Sequence, residues 1–233
     1  MQIEKKTLKR FLEKISIVNE GILNFEEQGV SLRQMTTDNV GMVEAKFADT
    51  NFIEYAKINK IAIDNFSNFR AFIDLFGDIL NFKKEKNYLS FKDTDKEGEF
   101  FLTSTEYLKQ SDKKIDIKYK SVFTLKSSIL KDIVKSSLVT NVGSNTPTLR
   151  FQIKDNNLII ETGEVNKIRC IIAIKEKVED CNVKFGELLC NCINLLDDND
   201  VTISLGNDLP INIEEKSDIT KIKYMVAPRI DNK

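Results

Sequence analysis

The chain has 233 residues, with 35 Lys and Arg against 36 Asp and Glu, a formal net charge of −1, and neither His nor Trp. That length holds one large domain or two modest ones with real cores. The absence of His excludes Ser-His-Asp and Cys-His nucleophilic machinery, His-ligated zinc sites and the zinc-dependent base deaminases.

A protein that grips phosphate-rich partners is usually basic, so a balanced chain can do so only with its cations gathered on one surface. No apolar run approaches the roughly 18 residues of a membrane span. The opening Met1-Gln2-Ile3-Glu4-Lys5-Lys6 lacks the apolar segment of a secretory signal, so an intracellular protein with no membrane partner is expected. Cys170, Cys181, Cys190 and Cys192 form no C-x-x-C pair and read as small buried residues in a reduced compartment.

In chain order, Leu8-Lys9-Arg10-Phe11-Leu12 opens a short amphipathic helix. Two strands follow, Val30–Met35 and Met42–Phe47, joined by a turn at Thr36-Thr37-Asp38-Asn39. A second helix is predicted from about Phe66 to Phe76, and a strand over Ile79-Leu80-Asn81-Phe82. The stretch from about Thr105 to Tyr119 is polar and without strong periodicity, which reads as a connector. The pattern then repeats. Leu130-Lys131-Asp132-Ile133-Val134 opens a helix, and strands follow at Leu149–Ile153 and Leu158–Glu161. A fourth helix is predicted from about Phe185 to Leu196, and a strand over Val201–Leu205. The offset between halves is about 120 residues, the signature of an internal duplication. The predicted class is α+β: domains at residues 1–104 and 120–233, joined by a connector at 105–119, each with two helices and mostly antiparallel strands.

At 100° per residue, the first helix turns Leu8, Phe11, Leu12 and Ile15 to one side. Lys6, Lys9, Arg10 and Glu13 fall opposite, with Lys14 at the flank. The third helix buries Ile129, Leu130, Ile133 and Ser137 and exposes Lys131 and Lys135. The second buries Phe66, Phe69, Phe72, Ile73 and Phe76 and exposes Ser67, Arg70 and Asp74. The fourth buries Phe185, Leu188, Leu189, Cys192, Ile193 and Leu196 and exposes Glu187, Asn191 and Asn194. Positive charge is therefore expected on the first helix of each half, with the remaining surface acidic.

Phosphate-binding loops of the G-x-x-x-x-G-K-[ST] and G-x-G-x-x-G kinds are absent. Asp197-Asp198-Asn199-Asp200 sits where a helix must turn into a strand, and Asp and Asn favour such turns without any metal. No catalytic residue, metal or cofactor is expected.

Three stretches resemble the DNA sliding clamps of the proliferating-cell-nuclear-antigen family, in its archaeal or viral form. Gly29-Val30-Ser31-Leu32-Arg33-Gln34-Met35-Thr36-Thr37-Asp38-Asn39-Val40-Gly41-Met42-Val43 is similar to the family's strand-turn-strand element. Leu205-Gly206-Asn207-Asp208-Leu209-Pro210-Ile211 resembles its strand-turn-Pro element. Lys221-Ile222-Lys223-Tyr224-Met225-Val226-Ala227-Pro228-Arg229-Ile230 resembles its C-terminal signature, with Met225 in place of a second aromatic.

The resemblance implies a DNA-clamp fold of two similar domains, with subunits joined head to tail as a trimer into a closed ring around duplex DNA. Such a ring has no active site and takes no cofactor. It is opened by a separate loader and tethers DNA polymerase and other partners that carry short aromatic-anchored motifs. Lys6, Lys9, Arg10, Lys14, Arg70, Lys131 and Lys135 are the implied DNA-facing residues. Met35, Asn39, Met42, Ile115, Ile117, Pro210, Met225, Val226, Ala227 and Pro228 are the implied partner groove. The implied subunit edges run over about Glu99–Leu108, with Glu99, Phe101, Thr103, Thr105 and Tyr107, and about Glu164–Ile172, with Val165, Lys167, Arg169 and Ile171. The alternative within the family is a subunit of a heterotrimeric or checkpoint-type clamp.

Overall fold

The structure, a computed structural model, describes residues 1–108, 115–140, 147–163 and 166–230. The chain forms two compact units, one of Met1–Lys114 with Asp218–Ile222, the other of Ile115–Ser217 with Lys223–Lys233.

The first unit runs β1 (Gln2–Glu4), α1 (Lys5–Lys14), β2 (Gly21–Glu26), β3 (Gly29–Met35), β4 (Gly41–Ala48), β5 (Asn59–Ile63), α2 (Phe66–Ile73), β6 (Ile79–Lys84), β7 (Tyr88–Lys92) and β8 (Glu97–Phe101). Its strands pair antiparallel in the orders β1-β6-β7-β8 and β5-β2-β3-β4. Along β3 and β4 burial alternates, so Val30, Leu32, Val43, Ala45 and Phe47 point inward. Phe11 of α1 stacks on Phe47 of β4 with ring centroids 4.8 Å apart. Phe69 and Phe72 of α2 pack with Phe91 and Phe100 of β7 and β8. The core of this unit is therefore largely a cluster of aromatic rings, a large apolar area in few residues. Gly29 lies at φ 118, where an added Cβ would sit 2.2 Å from the Phe47 carbonyl, so the β2–β3 turn requires glycine.

The second unit repeats the order: β9 (Ser121–Lys126), α3 (Ser127–Thr140), β10 (Leu149–Lys154), β11 (Asn157–Thr162), β12 (Ile168–Ala173), β13 (Cys181–Phe185), α4 (Glu187–Asn194), β14 (Asp200–Leu205), β15 (Ile211–Lys216) and β16 (Thr220–Val226). Its antiparallel pairs give the orders β12-β11-β10-β13 and β9-β14-β15. Leu130, Ile133 and Val134 of α3 and Leu189, Cys190, Cys192 and Ile193 of α4 are buried. The Ser127 amide and hydroxyl donate to the Asn199 and Asp197 carbonyls at 2.9 and 2.5 Å, which fastens the start of α3 to the α4–β14 turn.

The four predicted helices are present; α1 and α3 begin three residues before Leu8 and Leu130, while α2 and α4 are shorter than expected. α2 stops at Ile73 because the chain turns at Asp74, Leu75 and Phe76. Phe185 belongs to β13 opposite Leu149, and Gly186 caps α4 in extended backbone. Phe72, Ile129 and Leu188, expected in the core, are half-buried at its margin. Asp197, Asp198 and Asn199 form the expected turn into β14. Cys181, Cys190 and Cys192 are buried and unbridged, and burial pushes the Cys190 thiol up to about 11.

Candidate nucleic-acid interface and partner surfaces

In α1, Leu8, Phe11 and Leu12 anchor one face in the core. That fixes the opposite face, and Lys6 and Arg10 stand exposed on it. Lys9 is half-buried and donates to both carboxylate oxygens of Asp74 at 2.8 and 3.0 Å, so part of its charge is spent on the end of α2. Lys5, in the same first turn, donates its ammonium to the Phe76 carbonyl at 2.7 Å. Lys14 corrects the expectation: it is buried, 4% exposed, and offers no cation to the surface. It follows Phe11 by three residues, close enough to the apolar stripe for its aliphatic stem to be covered. Arg70 on α2 is half-buried.

In α3, Lys131 is half-buried and Lys135 is exposed, 3.6 Å from Asp132 one turn earlier. In α4 the exposed side chains are Glu187, Asn191 and Asn194. Within each unit the first helix carries most of the helical cations, Arg70 of α2 being the addition in the first unit, and α1 carries more of them than α3.

Each unit also has a sheet whose last strand is paired on one side only among the described residues. β8 is the terminal strand of β1-β6-β7-β8, and β12 is the terminal strand of β12-β11-β10-β13. On β8, Glu97, Glu99 and Phe101 are exposed, Phe101 by 63%. The expected edge at 99–108 is corrected, because the strand stops at Phe101. Thr103 instead bridges to Ala62 of β5, and Thr105 and Tyr107 lie in a turn. The cause is Leu108, which the turn carries into a buried contact with Ile22 and Ala62. On β12, Arg169 and Ile171 are exposed, Ile171 by 66%. Glu161 of β11 accepts from Arg169 Nε and lies 3.6 Å from Lys167 Nζ, and this contact holds its carboxyl below the usual range. Val165 lies outside the described residues.

The implied partner residues divide between the units. In the first, Met35 and Met42 face each other across the β3–β4 ladder. Met35 is half-buried, and Asn39 is exposed in left-handed backbone at φ 58. The Thr36 hydroxyl donates to Asp38 at 2.5 Å and accepts the Gly41 amide at 2.9 Å, which locks the turn. The same hydroxyl, and after it the Val40 amide, hold the Asp38 carboxyl below its ordinary value. In the second unit, Ile115 is exposed, while Ile117, Pro210, Ala227 and Pro228 are half-buried. The Tyr119 hydroxyl donates to the Pro210 carbonyl at 2.9 Å, and burial pushes the phenol up to about 12.

Three groove residues are corrected. Met42 is 2% exposed, Met225 4% and Val226 1%, so they pack in the interior. Met42 and Met225 lie on the phase of β4 and β16 whose other side chains are more exposed, but at strand ends where both faces are covered, so alternation alone does not mark them as buried. Asp74, Thr36 and Tyr119 were not singled out from the sequence as partners of these sites. The Lys9–Asp74 contact spans 65 positions and leaves no local signal; the Asp38 turn had one, Thr followed by Asp two residues on.

No family model matches the chain. It is 24% identical over 235 residues to a protein named DNA polymerase sliding clamp from Methanococcus maripaludis strain C7, across 93% of this chain and 92% of the relative. A protein of the same name from Thermococcus onnurineus is 21% identical over 239 residues, with the same coverage. Among solved structures, the C-terminal region of FEN-1 bound to A. fulgidus PCNA matches with TM-score 0.85 and 17% identity, covering 100% of this chain and 99% of that one. PCNA from Entamoeba histolytica matches with TM-score 0.78 and 16% identity, covering 98% of each.

The fold is therefore the DNA-clamp fold, with helices packed on antiparallel sheets in a duplicated arrangement. Within that class, the chain is similar over its length to archaeal proteins named DNA polymerase sliding clamp and to solved PCNA structures, the family its motifs resemble.

Proposed function

We propose that the protein is a sliding clamp: a ring that encircles duplex DNA without reading its sequence and tethers DNA polymerase and other replication and repair proteins to it. The observation that carries this reading is the likeness along the whole chain to sliding clamps, in a molecule whose duplicated units each begin with a cation-bearing helix. Exposed Lys6, Arg10 and Lys135, with half-buried Lys9, Arg70 and Lys131, suit weak phosphate contacts that permit sliding. The clamp performs no chemistry of its own and takes no cofactor. A separate loader opens it, and it works on DNA inside the cell. Among the described residues no helix is long and apolar enough to cross a membrane.

A homotrimer is the assembly proposed. β8 presents Glu97, Glu99 and Phe101, while β12 presents Arg169, Ile168 and Ile171. One edge is acidic, the other basic, and both are apolar in part, which suits head-to-tail pairing between copies of one chain. This complementarity favours self-assembly over a heterotrimeric or checkpoint-type clamp. The docking residues proposed for partner motifs are Met35 and Asn39 on the first unit, and Ile115, Ile117, Pro210, Ala227 and Pro228 on the second. The A. fulgidus PCNA of the same fold was solved with the C-terminal region of FEN-1 bound, which supports a protein partner for this surface.

Primer extension with the cognate polymerase and loader tests the function. The clamp should lengthen products at limiting polymerase; unchanged product length would contradict it. Light scattering tests the assembly, where a persistent monomer at micromolar concentration would contradict the homotrimer.

A further inference from the structure

On the solvent side of the sheet β12-β11-β10-β13, the register places Lys184, Arg150, Glu161 and Arg169 side by side. At this end of the sheet lies a cavity of about 210 Å³, rimmed by Arg150, Lys184, Lys167 and Glu161, with Thr148, Thr162 and Gly163 at its back. A water takes about 30 Å³, so a tetrahedral oxyanion fits with part of its hydration shell.

The charge is one-sided. Among the described residues of this row and rim, four cations meet one carboxylate. That carboxylate is already engaged, because Glu161 accepts from Arg169 and sits beside Lys167. Arg150 lies on one side of Glu161 and Arg169 on the other, so an anion entering beside Arg150 meets a neutralised Glu161.

The surroundings are fixed. Gly163 adopts φ 88, and an added Cβ would lie 1.9 Å from the Asn166 carbonyl, so this position requires glycine. The Thr162 hydroxyl donates to the Thr148 carbonyl at 3.0 Å, joining β11 to the residue before β10. The Arg229 amide donates to the Lys184 carbonyl at 2.7 Å, which holds β13 at the rim.

We propose that this cavity binds a phosphate group, either as free inorganic phosphate or as a phosphorylated side chain of a partner, with Arg150 and Lys184 as its principal contacts. Guanidinium and ammonium groups converging from adjacent strands match the charge and multiple acceptors of a phosphate better than a single carboxylate would. Arg150 and Lys184 belong to none of the DNA-facing, partner-docking or subunit-edge residues, whereas Lys167 and Arg169 lie on the β12 edge proposed for subunit pairing.

Calorimetric titration of the full-length protein at low salt with inorganic phosphate, and separately with a phosphoserine peptide and its unphosphorylated form, tests it. Saturable binding is expected, weakened about tenfold by either Arg150→Gln or Lys184→Gln, the loss of one charge-assisted contact. Lys154→Gln, at the other end of β10, should leave it unchanged. Tighter binding of the phosphopeptide than of free phosphate assigns the source to a partner; the reverse assigns it to the free ion. Equal affinity in all three variants, or non-saturable uptake, would overturn the site. So would variants that lose duplex DNA while phosphate fails to bind the parent protein. Light scattering of the same variants separates this result from failure of the trimer.

Discussion

The two units share an element order but not a core. Of the ring pairs among the described residues, Phe151–Phe185 lies in the second unit and the others all lie in the first. Where α1 packs Phe11 on Phe47, α3 packs Leu130, Ile133 and Val134. Duplication has kept which positions are apolar and let the residues that fill them change, because a core tolerates exchange at matched volume and pattern. Surface charge has diverged further. α1 carries Lys5, Lys6, Lys9 and Arg10 outside its core face, while α3 carries Lys131 and Lys135, with Asp132 between them. Conserved packing makes the scaffold; charge is adjusted on it element by element.

The largest expected effect breaks the packing half of this comparison. Phe11→Ala should cost about 3–5 kcal/mol and Leu130→Ala about 2–5 kcal/mol. Amide exchange should assign each loss to its own unit, and a uniform loss across both would contradict two separate cores. Next comes charge. Arg10→Glu and Lys135→Glu should each weaken retention on DNA, since both side chains are exposed on the first helix of their unit. Each reversal should lower the salt dependence of binding by about one contact, read from affinity against salt concentration. Arg10→Glu combined with Lys131→Glu should weaken it further while leaving the assembly intact by light scattering.

Asp74→Asn sharpens the contrast from the other side. It releases Lys9, so DNA retention should rise slightly. The cost to stability should stay below about 1 kcal/mol, since the Lys9 and Asp74 side chains are 34% and 46% exposed. The smallest effect is at high pH. The phenols of Tyr55 and Tyr119, one in each unit, are both raised to about 12 from 10.0, principally by burial. A folded-state value above the unfolded one favours the protonated form. Stability should therefore be unaffected below pH 10 and fall as pH rises from 10 toward 12, measured by denaturant unfolding at pH 8 and pH 11.

Much of this was legible in the residues. Helical spacing located α1 to α4 and their buried faces, and alternation located β3, β4, β10 and β11, because periodicity is a local property. The site was legible in outline only. Lys14 was placed at the flank of its helix, and whether a lysine stem there is covered depends on what packs against it. Lys9 was identified as a cation, but its partner Asp74 lies in another element. The edge expected over 99–108 exceeds β8 because Leu108 turns the chain inward, a contact with Ile22 and Ala62 that no short window contains. The phosphate-sized cavity depends on register across β10, β11, β12 and β13, and only the paired strands reveal it.

Topology offers the most direct test of the proposed ring. The protein is loaded onto a nicked circular plasmid, separated from free protein by gel filtration, and half of the complex is then linearised with a restriction enzyme. A sliding clamp stays with the circle and runs off the linear molecule. Equal retention on both forms, or equal loss from both, would contradict encirclement.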